Sequence, residues 1–514
     1  MSSSKVSAGL ELPTSKPVSA TLASEVCEDF MHTESAKPHW TAYLWDTLDK
    51  SPEERRFLCK IDAAILTIAS LGYFIKNLDQ ININNAFISG MKEDLGLNGN
   101  QLNYMQTCWT VGYIIGQIPR QVQVKHYYFF LQSNPPLTVI FTDSNFLLTR
   151  IRPSLWIPSC EVTWSVLTIV MAKCSSAQQI YVLRFFIGLA ESTFYPGMQY
   201  IIGSWYQKSE LGKRSCIFHA SSAVGSMFSA YLMAAVYHLD GAHGFKGWQW
   251  LFIINTVISL PIAVSGFFLL PDVPENTRAW YLNPGDVMLA RKRMEADGRA
   301  NRAPYTKAEA KKIFSSWHIY LLTLLYILYN NGGGVSAQPA FAIWLKQQGY
   351  SIPQANVYPT LTTCVQLATT LIYAWTSDTI LKGERWPPII FSGIMIIIVN
   401  TSLAIWNIPV AWKWACFILA GCSSGIGGLL YAWMHEICAR DNEERALVAA
   451  SMNEMAYVFQ AWLPLLIWQQ VDAPQYRKGY LASIGIAIAM MATTMTIRYL
   501  QRAEVASRRL RLPE

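Results

Sequence analysis

Residues 249–270 read QWLFIINTVISLPIAVSGFFLL and carry no charged side chain. A helix needs about 20 apolar residues to cross the hydrocarbon core of a bilayer, so this segment predicts a membrane-spanning helix. The residues that follow, about 271–315, form the longest polar stretch between the apolar segments of the chain. The first segment therefore predicts a span, and the second a long loop outside the bilayer.

Other segments of the chain are apolar over a comparable length. Together with 249–270 they predict twelve spans, at about 60–79, 101–119, 153–173, 178–204, 216–237, 249–270, 317–345, 355–378, 388–407, 412–436, 447–469 and 479–499. The polar stretch separates the first six from the last six. We therefore predict an all-α membrane protein with twelve transmembrane helices in two six-helix halves, a layout typical of secondary transporters built around a midplane site.

This segmentation predicts five regions. They are a cytoplasmic N-terminal tail at 1–56, a first half at 57–270, a central cytoplasmic loop at 271–315, a second half at 316–500 and a cytoplasmic tail at 501–514.

The composition of the chain fits a protein whose outer surface is mostly lipid. Charged residues make up 15% of the 514 residues and hydrophobic residues 52%, whereas a soluble domain has about 25% charged residues. A soluble protein of this size could not cover its surface with so few charges. The composition excludes a disordered, collagen-like or nucleic-acid-coating protein and argues against a soluble multidomain enzyme.

Lysine and arginine are distributed unevenly among the predicted loops. They concentrate in the central loop and the C-terminal tail and are sparse in the links on the opposite side. By the positive-inside rule both termini are predicted to be cytoplasmic, so the net charge of +7 reflects topology rather than nucleic-acid binding. The first 56 residues are polar without an early apolar run, and no secretory signal is predicted.

The sequence predicts no enzyme activity, no cofactor and no metal site. The ten cysteines are scattered and form no C-x-x-C pair, so neither a disulfide framework nor a zinc site is expected. No G-x-x-x-x-G-K-[ST] loop occurs, so energy must come from an ion gradient or from the gradient of the substrate. We expect a monomer in the lipid bilayer that works with a small-molecule substrate and protons.

The fourth predicted span contains two charges, Arg184 and Glu191. Seven residues are almost two helical turns, so both side chains face one way, about 10 Å apart and too far for a direct ion pair. Charges inside a span cost about 2.5–3.5 kcal/mol each on insertion scales. We interpret Arg184 as a binding group for an anion and Glu191 as a carboxylate that gains and loses a proton. Helix-packing charges are the competing interpretation.

The first predicted span ends in polar residues that lie on one helical face and continue into an outer loop. Asp79 follows Lys76 by three residues, so an intrahelical pair is geometrically available. A solvated helix end is the competing interpretation. We take Lys76 as a candidate substrate-binding residue.

The seventh predicted span is interrupted by the run Asn330-Asn331-Gly332-Gly333-Gly334, with Gln338 further along the same segment. Each glycine weakens a helix by about 1 kcal/mol relative to alanine. A hinge or binding-site break and an early helix end both explain this run. Asn330, Asn331 and Gln338, together with Tyr195, complete the candidate substrate-binding set. Most of the other polar residues in the spans, such as Glu161, are expected near helix ends exposed to solvent.

From about residue 57 to 500 the chain resembles the major facilitator superfamily, in its fungal anion:cation symporter branch. The most specific motifs are Asp79-Gln80-x-Asn82-x-Asn84-Asn85-Ala86, Gly112-Tyr-Ile-Ile-Gly116-Gln117-Ile-Pro119 and Arg184-Phe-Phe-Ile-Gly-Leu-Ala-Glu191. Many members of the branch have Asp-Arg in the first span, whereas Gln80 follows Asp79 here, which resembles the pantothenate and allantoate permease subgroup. The resemblance implies proton symport of a small organic anion, with Arg184 on the carboxylate and Asp79 and Glu191 as the protonatable pair.

Residues 120–143 depart from this resemblance. Such transporters join the second and third spans by a short basic link, and joining Pro119 directly to Ser144 restores that pattern. We therefore regard 120–143 as an atypical insert and hypothesise that it is translated from a retained intron.

The sequence thus predicts a plasma-membrane, proton-coupled importer of a small carboxylate such as pantothenate, working by alternating access. The alternative is an exporter of a secondary metabolite or drug by proton antiport, which would have little need for Arg184.

Overall fold

The computed structural model describes residues 47, 50–117, 152–296, 307–332, 339–378, 380–438 and 442–509. Throughout these ranges the regular secondary structure is helical and no strand occurs. The predicted all-α fold class is therefore confirmed. The insert at 120–143 lies outside the described residues.

The helices are numbered here in chain order. They are α1 Pro52–Ile61, α2 Thr67–Ala86, α3 Lys92–Asp94, α4 Gln101–Gln117, α5 Pro153–Met171, α6 Ala177–Glu191, α7 Phe194–Trp205, α8 Lys208–Val236, α9 Gly247–Leu269, α10 Pro284–Ala296, α11 Lys307–Phe314, α12 Trp317–Gly332, α13 Ala340–Gln347, α14 Ile352–Val357, α15 Thr360–Asp378, α16 Trp386–Ile405, α17 Val410–Leu419, α18 Gly421–Ser424, α19 Gly427–Ile437, α20 Asn442–Ile467 and α21 Arg477–Arg509.

Helical residues lie over each of the twelve predicted spans. Within the described ranges, seven helical segments are long and apolar enough to cross a membrane, and Gly247–Leu269 has a mean hydropathy of 2.0. The total of twelve crossings and the cytoplasmic side of the termini stay predictions.

The first span is longer than the sequence predicts. We expected a helix to about residue 79 and an outer loop beyond it, but α2 continues to Ala86, and a π-helical turn at Phe87–Met91 joins it to α3. The break comes at Gly90, whose φ of 113° is accessible to glycine and strained for other residues. Polar side chains did not end the helix, because they face other helices rather than water.

The chain divides by its contacts into Met1–Cys59 and Lys60–Glu514. Within the second unit the same helix pairs recur at an interval of six predicted spans. In the first half α2 packs on α8 and α9, α4 on α6, and α5 on α9. In the second half α12 packs on α20 and α21, α15 on α18, and α16 on α21.

Helix α4 is hydrogen-bonded along its length to α20 and to Trp468, the residue that follows α20. Asn103 Nδ2 donates to the Trp468 backbone oxygen at 2.7 Å, and Thr107 Oγ1 donates to the Ala461 backbone oxygen at 2.8 Å. Further along α4, Asn453 Nδ2 donates to Gln117 Oε1 at 3.2 Å. Together these hydrogen bonds place α4 against the second half, with the candidate site on its other side.

Candidate functional site

Helices α4 and α6 approach each other closely through two glycines. A Cβ on Gly112 would lie 2.1 Å from the backbone oxygen of Phe185, and a Cβ on Gly188 would lie 2.1 Å from the backbone oxygen of Trp109. Small residues permit this kind of close packing between membrane helices. The approach brings the aromatic side chains of α4 against the charged face of α6.

Lys76, on α2, is buried with a relative exposure of 3%. Its Nζ donates a hydrogen bond to the Tyr113 hydroxyl at 2.9 Å and lies 4.4 Å from the centre of that ring. The Tyr73 ring lies 5.9 Å from the same nitrogen. The ammonium group is therefore held by two tyrosines rather than by a carboxylate.

Asp79 and Glu191 each face an amide side chain. Asn255 Nδ2, from α9, donates to Asp79 Oδ1, and Gln80 Nε2 donates to Glu191 Oε2 at 3.3 Å. Both carboxyl groups are buried, with exposures of 3% and 0%. The intrahelical pair considered for Lys76 and Asp79 does not form, because Tyr113 and Asn255 are their partners instead.

Arg184 lies beside the Trp109 ring, with its Cζ 5.7 Å from the ring centre. The side chain is 2% exposed, and its buried Nε has no hydrogen-bond partner among the described residues. Glu191 is within electrostatic range of both Arg184 and Lys76. The guanidinium thus packs on the face of the Trp109 ring, and its Nε–H is available to donate a hydrogen bond.

The four charges Lys76, Asp79, Arg184 and Glu191 balance to zero, yet no ion pair closer than 4.0 Å joins any two of them. Burying charges without close pairing is costly, and such residues in membrane proteins mark ion or substrate pathways. Four predicted site residues therefore meet in one buried group, which we call the charge cluster.

Tyrosines connect the charge cluster to its surroundings. Tyr113 packs against Tyr457 of α20 with ring centres 4.9 Å apart, which links the cluster to the second half. The predicted Tyr195 packs on Tyr73 at 5.7 Å, and its hydroxyl is 3.1 Å from His219 Nε2. Tyr195 therefore borders the cluster through Tyr73.

Neither Asn330 nor Asn331 forms a hydrogen bond with a residue of the charge cluster in the described part of the chain. Asn331 is 9% exposed, and its Nδ2 donates to the Ile327 backbone oxygen at 2.9 Å. Its side-chain amide is therefore hydrogen-bonded within its own helix. The neighbouring Asn330 has a buried Oδ1 without a partner among the described residues. Helix α12 is described as far as Gly332, and residues 333–338 lie outside the described residues, so the predicted break stays a prediction. Gln338 lies outside the described residues.

Glu161 is not at a solvated helix end as expected. It is 2% exposed within α5, and neither carboxylate oxygen has a hydrogen-bond partner in the part of the chain that the structure describes. The carboxyl lies between α2 and α9, where its oxygens would be 2.5 Å from a Cβ on Gly72 and 3.6 Å from one on Gly266. Glycines on both neighbouring helices provide the space that it occupies.

Sequence reasoning missed four neutral residues of the site, namely Tyr73, Trp109, Tyr113 and Asn255. Trp109 and Tyr113 are four residues apart on α4, with stacked rings 5.0 Å apart, and Tyr73 is three residues before Lys76. This helical spacing was a usable signal. Asn255 offered none, because it is 176 residues from Asp79 in the sequence.

A family model described as the Major Facilitator Superfamily matches residues 144–464. The chain belongs to the Major Facilitator Superfamily. Its members are multi-pass membrane transporters, not enzymes. The match begins directly after the insert.

Three relatives resemble this major facilitator over most of its length. The MFS transporter PfmaC of Pestalotiopsis fici is 35% identical, over 90% of this chain and 83% of its own. The pantothenate transporter liz1 of Schizosaccharomyces pombe is 33% identical, over 87% and 82%. The pantothenate transporter FEN2 of Saccharomyces cerevisiae is 31% identical, over 89% and 86%. The predicted resemblance to pantothenate permeases is confirmed.

Solved structures share the fold at low sequence identity. The D-xylose-proton symporter matches with a TM-score of 0.58 and 14% identity, covering 83% of this chain and 96% of that one. The nucleoside transporter NupG matches with a TM-score of 0.56 and 9% identity, covering 84% and 99%. The major facilitator fold therefore holds the charge cluster.

Proposed function

We propose that this major facilitator is a proton-coupled symporter that imports a small carboxylate across the plasma membrane. The observation that carries the proposal is the charge cluster, in which two cations and two carboxyl groups are buried together without ion pairs. A stable resting structure gains little from such an arrangement. A transporter gains binding groups for an anion and for a proton.

In this proposal Arg184 binds the carboxylate of the substrate. A guanidinium presents donors in a planar fork that matches a carboxylate, and charge-assisted bonds of this kind are strong. The Trp109 face fixes the position of the guanidinium, and its buried Nε has capacity for a further acceptor. Lys76 supplies a second positive charge, oriented by the Tyr113 hydroxyl.

Glu191 and Asp79 carry the coupled proton. Each accepts a hydrogen bond from a neutral amide, Gln80 or Asn255, which permits both the charged and the protonated carboxyl. When a carboxyl is protonated, the cluster has a surplus of positive charge and binds the anion more tightly. Loss of the proton returns the cluster to zero net charge and weakens binding of the anion. Release of the proton and release of the anion are therefore linked.

Alternating access requires contacts between the halves that break and reform. Lys346 Nζ, on α13, lies 2.7 Å from Glu93 Oε1 and 3.0 Å from the Ile88 backbone oxygen. Asn356 Nδ2 donates to Ser89 Oγ at 3.0 Å in the same region. The Lys346–Glu93 pair is partly exposed and exchanges readily with water, which suits a gate, whereas the Asn356–Ser89 hydrogen bond is buried beneath it in the closed arrangement.

The similarity to two pantothenate transporters supports a pantothenate-like substrate. Pantothenate has one carboxylate together with neutral hydroxyl and amide groups. A single anionic group matches a site in which Gln80 takes the place of a further cation.

The decisive test is uptake of radiolabelled pantothenate by a host that lacks its own pantothenate permease. We expect wild-type protein to accumulate the label against its gradient and to do so more at acidic external pH. Glu191→Gln removes the protonatable group and should abolish accumulation while leaving binding of the substrate. Arg184→Ala should abolish binding as well.

Glu161→Gln is the control, because Glu161 is an equally buried glutamate in the same half that lies outside the charge cluster. It should retain uptake. Accumulation against the gradient by Glu191→Gln would disprove the proposed proton role. Uptake of another carboxylate in place of pantothenate would change the substrate but keep the mechanism.

A further inference from the structure

Four polar side chains from four helices meet at one end of the second half. His318 comes from the start of α12, Cys438 directly follows α19, Glu444 is near the start of α20, and Glu504 is near the end of α21. A ring nitrogen of His318, the Sγ of Cys438 and a carboxylate oxygen of Glu444 all lie within 4.8 Å of one another. The proposed transport mechanism uses none of these residues.

The His318 ring is held from both sides. Its Nδ1 is 2.7 Å from Glu444 Oε1, and its Nε2 is 3.2 Å from Glu504 Oε2. The ring is 8% exposed and the Glu444 side chain 12% exposed. The imidazole orientation is therefore fixed, with Nδ1 towards Glu444 and Nε2 towards Glu504.

We propose that His318, Cys438 and Glu444 bind one zinc-class divalent ion. Nitrogen, thiolate sulfur and carboxylate oxygen are the ligands that zinc uses, with a water molecule in the fourth position. Histidines that bind metals almost always donate their other ring N–H to a carboxylate, a backbone carbonyl or water, and Glu504 supplies such a carboxylate here. Magnesium and calcium prefer all-oxygen sites and do not match this set.

The donor atoms need only small movements to form the site. Zinc bonds of about 2.0–2.3 Å at tetrahedral angles separate the ligand atoms by about 3.3–3.6 Å. The largest present separation, at most 4.8 Å, has to shrink by about 1 Å. Cys438 lies just beyond the last residue of α19 with φ −92° and ψ 23°, so rotation of short side chains at helix ends suffices.

Binding of the ion is an exchange of metal for protons. The ion takes the place of the proton between His318 Nδ1 and Glu444 Oε1, and the Cys438 thiol loses its proton on forming the metal–sulfur bond. Both protons go to the solvent, and no group is oxidised or reduced. Bound metal ties the ends of α12, α19 and α20 together and stabilises the folded chain by mass action.

The test uses purified full-length protein in detergent, stripped of metal with a chelator. Calorimetric titration with zinc chloride should show one ion per chain, and magnesium chloride should show none. Cobalt(II), bound in place of zinc, should give the charge-transfer absorption of a cobalt–thiolate bond. Cys438→Ser should remove this band and weaken zinc binding. The control Cys416→Ser, at a cysteine equally buried in α17, should change neither.

Glu504→Gln provides an independent variant, because Glu504 is 30% exposed and is not itself a ligand. It should weaken zinc binding by about 10–100-fold while keeping the cobalt–thiolate band. No bound zinc, a band that persists in Cys438→Ser, or unchanged affinity in Glu504→Gln would each overturn the proposal. Should Cys438→Ser fail to fold, the Glu504→Gln result decides.

Discussion

The close approach of α4 and α6 predicts a large effect from adding a single methyl group. In Gly188→Ala the new Cβ would lie 2.1 Å from the Trp109 backbone oxygen, whereas real Cβ atoms essentially never come closer than 3.0 Å to a neighbour. The oxygen belongs to helical backbone and cannot rotate away. The two helices must therefore separate by about 1 Å.

The expected cost has two parts of opposite sign. Overpacking of this kind destabilises a protein by about 1–3 kcal/mol, while replacing a helical glycine by alanine stabilises by up to about 1 kcal/mol. Gly485→Ala in α21 isolates the second part, because nothing lies within 4 Å of its added Cβ. The free energy of unfolding should therefore be lower in Gly188→Ala than in Gly485→Ala by about 1–3 kcal/mol or more.

Thermal unfolding of the purified protein in detergent measures this difference, and substrate uptake measures its effect on the site. Separation of the helices moves Trp109 away from Arg184, so uptake by Gly188→Ala should fall while Gly485→Ala retains it. Gly112→Ala adds a methyl group to the same helix–helix contact from the α4 side. The double variant should therefore lose less stability than the sum of the losses in the two single variants. Equal stability of Gly188→Ala and Gly485→Ala would refute the packing argument.

Two further predictions follow from individual contacts, and a third concerns the insert at 120–143. Gln80→Arg places a guanidinium beside Glu191. Because a charged hydrogen bond stabilises the ionised carboxylate by about 1.5–3 kcal/mol, proton-dependent uptake should fall at least tenfold. Unchanged uptake would contradict the role of Glu191. Lys346→Met and Glu93→Gln each break a partly exposed ion pair, so thermal unfolding should show that the free energy of unfolding falls by less than about 1 kcal/mol in both variants. A much larger fall in either variant would show that other interactions contribute to the gate contact. Transcript sequencing should find the codons for 120–143 absent from the dominant message, and their presence there would reject the retained-intron hypothesis.

Helices and buried charges were predictable because their signals are local. An apolar segment such as 249–270 indicates a span on its own, and the structure has α9 over it. Arg184 and Glu191 were conspicuous because charges are rare within apolar segments, and both are buried on α6 as their seven-residue spacing predicts. Lys76 and Asp79 were found on the same grounds.

The limits of local reasoning are visible at the same helices. The polar run after Asp79 was interpreted as the beginning of an outer loop, yet it continues as helix to Ala86. Glu161 was expected at a solvated end and is buried between glycines of two other helices. In both cases the environment of a polar side chain depends on its neighbours in space, which hydropathy along one segment does not report.

The sequence by itself determined the membrane class, the helices and the candidate charged residues, because each depends on composition over one or two turns of helix. Only the tertiary structure decided which residues meet: Asn255 with Asp79, Tyr457 with Tyr113, and His318 with Cys438 and Glu444. Helices that are far apart in the chain pack through small residues and shape complementarity. Such contacts have no fixed spacing, and so the partners of the charges, and with them the chemistry of both proposed sites, follow from the packing alone.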